Sequence, residues 1–316
     1  MSSTSTDNND DIDEVSADNI CANCGKGEEN TNSLKACTAC HMVKYCNREC
    51  QIAHRPQHKK ACKKRAAELH DELLFKRPPP EYEDCTICFL TMPSIHTGRT
   101  YQTCCGKILC SGCIHAPVYD DQGHVINEEI CPFCRTPESR SNKEHNERMN
   151  KRMEAGDSNA FCHIGYYYYE GTYGFPRDYT KALELWHRAG ELGSATSYFN
   201  IGSAYDNGRG VKMDEKKARH YMELAAMMGS TGARYNLGNR EAIAGNMDRA
   251  IKHCMIAVAS GHGNSLTAIR KLYADKHATK EDYANALRAR QTHLSDIKSE
   301  QRDNAAAGGA NCKYID

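Results

Sequence analysis

Apolar residues in the second half of the chain recur at the spacing of helix faces. Phe161, Ile164 and Tyr168 lie three or four residues apart, and so do Leu185 and Ala189. Residues at this spacing fall on one side of an α-helix. The pattern therefore predicts two short amphipathic helices that pack against each other.

The two-helix pattern repeats along the chain. Matching residues recur 36 or 37 positions later, and the one-residue change falls in the loop after Gly171, where an insertion costs little. The matched pairs are Gly165/Gly202, Tyr168/Tyr205, Gly171/Gly208, Asp178/Asp214, Lys181/Lys217, Ala182/Ala218, Ala189/Ala225 and Gly193/Gly229. A third copy continues to Gly261 but lacks four loop residues. One hairpin cannot bury its apolar face alone, so the copies are expected to stack into a solenoid.

Small residues mark the contacts and the ends of these predicted helices. Glycines at 165, 202 and 238 allow helices to approach closely, and glycines at 193, 229 and 261 are expected to end the second helices. The pattern resembles the Sel-1-like repeat, a relative of the tetratricopeptide repeat, over about 157–261 and best in the second copy. The resemblance implies a protein-interaction module.

The first half of the chain follows a different rule. Fifteen of the 18 cysteines lie between Cys21 and Cys134. The N-terminus has no apolar core of a secretory signal, and no run of about 18 apolar residues exists. We therefore expect a cytoplasmic or nuclear protein without a membrane span. Thiols stay reduced in those compartments, so the cysteines indicate metal binding and not disulfides.

The first cysteine cluster supplies eight soft ligands, enough for two closed tetrahedral zinc sites. They are Cys21, Cys24, Cys37, Cys40, Cys46, Cys50, His58 and Cys62. Cys46/Cys50 and His58/Cys62 are each four residues apart, which predicts two ligand-bearing helices, with Pro56 in the first turn of the second. His41 and His54 are expected to be surface histidines.

The spacing of this cluster closely resembles a MYND zinc finger. The resemblance implies interleaved sites, in which Cys21, Cys24, Cys46 and Cys50 hold one zinc ion. The other set is Cys37, Cys40, His58 and Cys62. It also implies binding of short peptides from partner proteins and no catalytic group. Arg55 stands where the family often has tryptophan, so the peptide-binding surface is expected to differ.

The second cluster also offers eight ligands, and its order resembles a RING finger that closes with Cys131-Pro132-Phe133-Cys134. Lys107 occupies the place of the usual histidine, and a protonated ammonium cannot ligate zinc. Cys104, or else His96 or His115, must supply the eighth ligand. With Cys104, the resemblance implies two groups: Cys85, Cys88, Cys110 and Cys113, and Cys104, Cys105, Cys131 and Cys134. Four zinc ions per chain are then expected.

RING domains act as ubiquitin ligases without catalytic side chains, by positioning a charged conjugating enzyme. The resemblance assigns enzyme contacts to Ile87 and Pro132 and a bridging cation to Arg135. The alternative interpretation is a non-enzymatic scaffold or transcription-related adaptor with structural zinc fingers. With 41 acidic and 41 basic residues, no overall field attracts nucleic acid, and the basic stretch 59–65 is the single feature that favours it.

The predicted fold class is small zinc-stabilised α+β fingers followed by an all-α solenoid of helical hairpins. An acidic tail is expected at 1–20, the MYND-type finger at 21–62, and a basic helix with a proline-rich linker at 63–80. The RING-like finger follows at 81–137 and a charged linker helix at 138–156. The repeats span 157–265, capping helices 266–298, and a tail 299–316.

Overall fold

The computed structural model describes residues 19–27, 33–126, 129–309 and 312–315. It divides the chain into two compact units, 1–73 and 74–316. Most of the predicted acidic tail, residues 1–18, lies outside the described residues. Among the helices that are described, none has the length and apolar content needed to cross a membrane.

The first unit is built from a two-stranded sheet and one long helix. Strands β1 (Lys35–Ala36) and β2 (Lys44–Tyr45) pair antiparallel, and α1 runs over Arg48–Leu74, up to the boundary between the units. The small core consists largely of cysteines with one aliphatic and one aromatic side chain: Cys21, Leu34, Cys37, Cys40 and Tyr45. A core this small indicates that the folding energy comes mainly from metal binding.

The prediction of two helices in this finger is wrong. Pro56 lies inside the continuous helix α1, and Cys46 precedes the helix while Cys50 lies in its first turn. Pro56 already has a helical φ angle, and it removes only the hydrogen bond to the carbonyl of Ile52. The side chains of Ile52 and Pro56 are both exposed. Solvent can therefore satisfy that carbonyl without ending the helix.

The second unit begins with a compact finger of short elements. A 3₁₀ turn (His96–Gly98) leads into β3 (Arg99–Tyr101), which pairs antiparallel with β4 (Ile108–Cys110), and α2 (Ser111–Ile114) follows. Its buried core contains Cys85, Met92, Leu109, Cys110, Cys113 and Cys131. Four of these six residues are cysteines, so this finger also lacks a large apolar core.

The helical part starts with α3 (Asn142–Glu154) and continues as three hairpins. They are α4 (Ser158–Glu170) with α5 (Tyr179–Glu191), α6 (Ala195–Asn207) with α7 (Glu215–Met227), and α8 (Thr231–Ile243) with α9 (Met247–Ala259). Each of these six helices has 13 residues. The loop shortens in the third copy, from 208–214 to 244–246, as the sequence predicts.

Glycine shapes the hairpins in the two predicted ways. A Cβ at Gly165 would lie 2.7 Å from the Trp186 ring, and one at Gly238 would lie 2.9 Å from Cys254 Sγ. Residues 193, 229 and 261 have φ angles of 99°, 102° and 93° after their helices. Only glycine adopts such angles readily. The predicted close approaches and helix ends are therefore confirmed.

The solenoid continues with α10 (Gly263–Ala274), α11 (Lys280–Ile297) and α12 (Glu300–Gly308). The predicted helix start at Thr279 is confirmed, because Thr279 and Asp282 form a reciprocal capping box. The predicted tail at 299–316 is wrong over its described residues. Helix α12 buries Arg302 and Ala305, and Cys312 and Tyr314 are also buried.

Candidate zinc centres

The candidate ligands lie on a recurring turn of the backbone. In five of the cysteine-bearing turns, here called knuckles, the residue after the last cysteine has a positive φ: 72° at Gly25, 56° at His41, 57° at Phe89, 73° at Gly106 and 58° at Arg135. This left-handed angle is rare outside glycine. Its recurrence at five corresponding positions indicates one shared local fold.

Hydrogen bonds close each turn in the same way. The backbone N–H of Cys85 donates to Leu90 O at 3.1 Å, and that of Phe89 donates to Cys85 O at 2.8 Å. Equivalent pairs of bonds start at residues 21, 37, 102 and 131. The turn aims the first and fourth side chains of each knuckle to the same side, as two ligands of one ion require.

The sixteen predicted ligands fall into four groups in the structure. Within each group the ligand atoms all lie within 4.8 Å of one another. The groups are Cys21, Cys24, Cys46 and Cys50; Cys37, Cys40, His58 and Cys62; Cys85, Cys88, Cys110 and Cys113; and Cys104, Cys105, Cys131 and Cys134. Each group contains the four residues that the sequence analysis assigns to one ion.

Distances within the groups suit tetrahedral zinc. Cys24 and Cys46 have their Sγ atoms 3.6 Å apart, Cys88 and Cys110 are 3.8 Å apart, and Cys40 Sγ lies 3.2 Å from His58 Nε2. Four sulfurs at about 2.3 Å from a central Zn²⁺ would be separated by about 3.8 Å. The donor set and its spacing therefore fit zinc in all four groups.

Cys104 compensates for an incomplete knuckle. Gln102 stands where the other knuckles have their first cysteine, and its N–H bonds Lys107 O at 2.8 Å in the usual way. Cys104 lies one position before Cys105, and its Sγ is 3.3 Å from that of Cys134. Cys104, inside the turn, thus supplies the thiolate that is missing at position 102, the first position of this knuckle.

The two histidine alternatives lie elsewhere. His96 is exposed in the 3₁₀ turn and outside all four groups. His115 Nε2 is 3.1 Å from the Sγ of Cys312, a residue that follows the second cluster in sequence and is not one of its ligands. Among the described residues, Cys104 is therefore the candidate for the eighth ligand that the geometry favours.

Backbone N–H groups favour the thiolate form in several knuckles. Burial tends to raise the pKa of Cys21, but hydrogen bonds from the backbone of Cys24, Cys46 and Asn23 outweigh it and lower the pKa to about 6. The pKa of Cys37 is likewise lowered to about 6, against burial, chiefly by the backbone of Cys40. Thiolates are the form that binds zinc. Burial and the thiols of Cys37 and Cys40 raise the pKa of Cys62 to about 11, so the thiolate form is not favoured at every ligand of a group.

His54 is not the simple surface histidine that the sequence suggests. Its Nδ1 lies 3.1 Å from Tyr45 Oη, and its ring stacks on His58 at 5.6 Å. His54 and Tyr45 therefore hold the ring of a candidate zinc ligand in place. Metal-binding histidines commonly depend on such supporting contacts.

Two arginines from the helical part reach the RING-like finger. Arg302 of α12 is fully buried and donates to Thr91 O at 2.8 Å, and its other nitrogen lies 3.8 Å from Cys88 Sγ. Arg152 of α3 donates to Cys104 O. Zinc with four thiolates carries a charge of −2, which a nearby guanidinium offsets. No local spacing in the sequence links these distant arginines to the finger.

Other contacts join the finger to the repeats within the second unit. Tyr101 Oη donates to Asp157 Oδ2 at 2.7 Å, Ser94 Oγ donates to Gly261 O at 3.0 Å, and Tyr82 Oη is 3.0 Å from Thr196 Oγ1. A Cβ at Gly112 of α2 would lie 2.8 Å from the backbone nitrogen of Arg302. The finger is therefore packed along several hairpins and α12.

The predicted conjugating-enzyme contacts lie at the knuckles. Ile87 is 36% exposed, Pro132 is half-buried, and Arg135 is exposed and donates from Nη1 to Tyr119 O at 2.9 Å. Phe89, which the sequence analysis did not single out, is 77% exposed. The surface between the second-cluster ligands thus offers apolar side chains to a partner.

Comparison with known proteins identifies modules of this chain. The MYND finger family matches residues 21–62, and the Sel1 repeat family matches 162–194 and 195–230. The Sel1 repeat protein from Oxalobacter formigenes is 28% identical and has a TM-score of 0.43, covering 49% of this chain and 64% of that one. The SLR-fold antigen c5321 from Escherichia coli is 26% identical with a TM-score of 0.40, covering 52% and 33%.

Two curated relatives match shorter stretches. The ERAD-associated E3 ubiquitin-protein ligase component HRD3B of Arabidopsis thaliana is 36% identical over 91 residues, 28% of this chain and 14% of the relative. The E3 ubiquitin-protein ligase GW2 of Oryza sativa subsp. indica is 33% identical over 78 residues, 23% of this chain and 17% of the relative. The chain thus spans less than a fifth of the length of either protein.

MYND fingers and Sel1 repeats are both protein-interaction modules, and the second cysteine cluster suggests a RING-like finger between them. The chain therefore combines a MYND finger at 21–62 with Sel1 repeats at 162–230.

Proposed function

We propose that the protein is a zinc-binding adaptor with RING-type ubiquitin-ligase activity. The observation that carries this proposal is the alternation of ligands in the second cluster. Residues 85, 88, 110 and 113 form one group, and residues 104, 105, 131 and 134 form the other. Because the ligands of the two sites alternate along the chain, the two sites together hold two loops next to each other. In a RING domain those loops bind the conjugating enzyme.

In this proposal the finger would catalyse by positioning alone. Ile87 and Pro132 would contact the conjugating enzyme, and Arg135 would reach towards ubiquitin. The substrate lysine would attack the thioester of the charged enzyme, and the enzyme's cysteine would leave as a thiol. Holding such a complex in one reactive arrangement can lower the barrier substantially, because it removes orientational freedom beforehand. The names of the two curated relatives, both connected with E3 ubiquitin ligases, support this choice.

The MYND finger and the repeats would select the partners or substrates. Zinc would have a structural role in this scheme, with four ions per chain. Each group offers four protein ligands, which leaves no open position for water at a tetrahedral ion. Catalysis by a zinc-bound hydroxide is therefore not part of the proposal.

A non-enzymatic scaffold is the second candidate, and one contact favours it. Arg135 Nη1 donates to Tyr119 O within the finger, so the proposed bridging cation already has an intramolecular partner. The extensive packing of this finger on the helices also suits a structural role.

An autoubiquitination assay with a panel of conjugating enzymes separates the two candidates. Ile87→Ala should abolish transfer while zinc content stays unchanged, and Arg135→Ala should slow it. Val125→Ala is the matched control, because Val125 is 50% exposed in the same finger and lies outside the knuckles. If the wild-type chain shows no transfer with any enzyme, the scaffold is the better description.

A further inference from the structure

The third hairpin buries two basic side chains that lack hydrogen-bond partners. Arg234 of α8 is 1% exposed, and His253 of α9 is 0% exposed. Within the part of the chain that the structure describes, none of the three guanidinium nitrogens of Arg234 has a hydrogen-bond partner, and neither ring nitrogen of His253 has one. A Cβ at Gly238, one helical turn after Arg234, would lie 3.4 Å from His253 Cβ, so the two side chains leave the same contact between α8 and α9.

The charged side chains around this pair leave an excess of positive charge. The buried carboxylate of Glu241 accepts hydrogen bonds from Arg219 and, at 3.1 Å, from Arg249 Nε. Arg219 Nε also donates to Glu223 at 3.0 Å. Both carboxylates are therefore engaged by other arginines, and three guanidinium groups share two acids. Arg234 is the cation that remains without a counter-charge.

A buried guanidinium without a counter-charge is strongly unfavourable. Burial lowers the pKa of Arg234 to about 10, and the group still carries its charge at neutral pH. Burial, and after it the charge of Arg234, lowers the pKa of His253 to about 3, so the imidazole is neutral. Buried charges in proteins are stabilised by pairing and hydrogen bonding. Arg234 therefore needs an anion that the neighbouring helices do not supply.

The ring of Phe75 lies between His253 and the surface. Its centroid is 4.7 Å from that of the His253 ring, and Phe75 itself is partly exposed. The guanidinium carbon of Arg249 and Nζ of Lys252 lie 5.1 and 5.5 Å from the same ring centroid. These cations would attract an anion to this side of the hairpin. Because Arg234 is buried, a small ion fits this position and a charged polymer does not.

We propose that Arg234 and His253 form a binding site for a free inorganic oxyanion of the phosphate class. The planar guanidinium presents parallel N–H groups that match two oxygens of such an ion, and the neutral imidazole donates one N–H to a third. The ion would balance the excess charge and join α8 to α9. This hairpin lies outside the two matched Sel1 repeats, and the proposal does not depend on ubiquitin transfer.

A phosphate titration of the full-length zinc-loaded protein tests the site. Excess zinc is removed, sodium chloride keeps the ionic strength constant near neutral pH, and circular dichroism follows melting of the helices. With a dissociation constant of about 1 mM, about 50 mM phosphate should raise the melting temperature of the wild type by about 5–9 °C, and the rise should saturate. Arg234→Met should lose this rise. Without phosphate it should be at least as stable as the wild type, because it removes an unpaired buried charge.

Arg188→Met is the matched control, because Arg188 is exposed on α5 and pairs with Glu191. It should keep the full rise, which separates binding at the site from the general stabilising effect of phosphate on proteins. An equal rise in Arg234→Met and wild type would overturn the proposal. A clearly lower stability of Arg234→Met without phosphate would overturn it too.

A second variant covers the case in which Arg234→Met does not fold. His253→Phe keeps a ring beside Phe75 and removes the imidazole N–H. In equilibrium dialysis with radioactive phosphate, the wild type should bind a single phosphate per chain, and His253→Phe should bind it about tenfold more weakly. A wild type that binds no phosphate, or an unchanged affinity in His253→Phe, would show that the pair is not an anion site.

Discussion

At the scale of single residues, the second cluster depends on substitutions within a common turn. Gln102 replaces the first ligand of its knuckle, and Cys104 moves one thiolate into the turn. The sequence favours Cys104 as the eighth ligand and leaves His96 and His115 as weaker alternatives. The backbone separates them, because it carries only Cys104 to the remaining three thiolates.

Replacing Cys104 tests this assignment directly. Cys104→Ser exchanges a thiolate for a neutral hydroxyl, so one group should lose its affinity, and the metal content should fall from about four to about three ions per chain. Cys312→Ser is the control, since Cys312 contacts His115 and belongs to none of the groups. Metal analysis after purification without chelator measures both. Unchanged zinc in Cys104→Ser would show that another residue completes the group.

Arg302 is the buried residue that links the finger to α12. Arg302→Met removes its hydrogen bonds to Thr91 O and Ile297 O and its charge near Cys88. We expect a loss of about 2–4 kcal/mol of stability in the second unit and weaker zinc retention by the first RING-like group. Denaturant unfolding and competition with a chromophoric chelator measure these effects. Gln301→Met, at an exposed neighbouring position, should change neither; equal loss in both variants would contradict the role of Arg302.

His163 should make the second unit sensitive to acid. Burial lowers the pKa of His163 to about 4, whereas the unfolded chain has the ordinary value of 6.5. Below about pH 6.5 the unfolded state binds a proton at His163 that the folded state does not bind. The free energy of unfolding therefore decreases as the pH falls to about 4. The total effect is about 2–3 kcal/mol.

His163→Phe removes this titration and keeps a ring beside Tyr101, which stacks on His163 at 5.1 Å. The difference in melting temperature between pH 7 and pH 5 should shrink in the variant. His124→Phe, at an exposed loop position, is the control for general effects of losing a histidine. The same pH dependence in His163→Phe and wild type would refute the prediction.

At the scale of elements, the repeats were predictable because each helix signals its own beginning and end. Asp178 and Asp214 cap their helices, the glycines end the second helices, and the interior small residues fix the contacts. Helix α12 gave no such signal, because its sequence EQRDNAAAG has few apolar residues. Its stability depends on Arg302 and on packing against a segment more than 200 residues earlier, and no local sequence pattern indicates such a contact.

Asp157 joins two elements with one side chain, and this gives an element-scale prediction. Its Oδ1 caps α4 through Asn159 N, and its Oδ2 accepts from Tyr101 Oη of the finger. Asp214→Ala removes a cap alone and should cost about 1 kcal/mol. Asp157→Ala should cost about 2 kcal/mol, because it also leaves the Tyr101 hydroxyl without its acceptor.

A double-mutant cycle isolates the second contribution. Tyr101→Phe combined with Asp157→Ala should be less destabilising than the sum of the single changes, by about 1 kcal/mol, in denaturant unfolding. Strict additivity would show that the contact between the finger and α4 contributes nothing.

At the scale of the whole molecule, the chain divides at residue 73 and not after the second cluster. The change from cysteine-rich to apolar-periodic sequence suggested two independent halves. It could not reveal that the RING-like finger packs on the helices, because those contacts come from isolated polar residues such as Tyr82, Ser94 and Tyr101.

Chelation should therefore affect more than the fingers. Removing metal should unfold 21–62, which has little core of its own, and should also lower the melting temperature of the helices by exposing the surface that the RING-like finger covers. Circular dichroism melts with and without a strong chelator measure this. The helical signal should persist at low temperature, because the hairpins keep their own packing. An unchanged melting temperature of the helices would contradict the dependence.

The contact between Arg302 and the finger also constrains how the protein is made. The finger at 81–137 leaves the ribosome well before residues 300–308, so its thiolates can collect metal while the helix that later covers them has not been synthesised. Arg302 and Cys88 are 214 positions apart, and pairings at such separations form slowly. During translation the nascent finger is therefore exposed to chaperones, oxidants and competing metals, and its packing on the helices is completed only when α12 has been added.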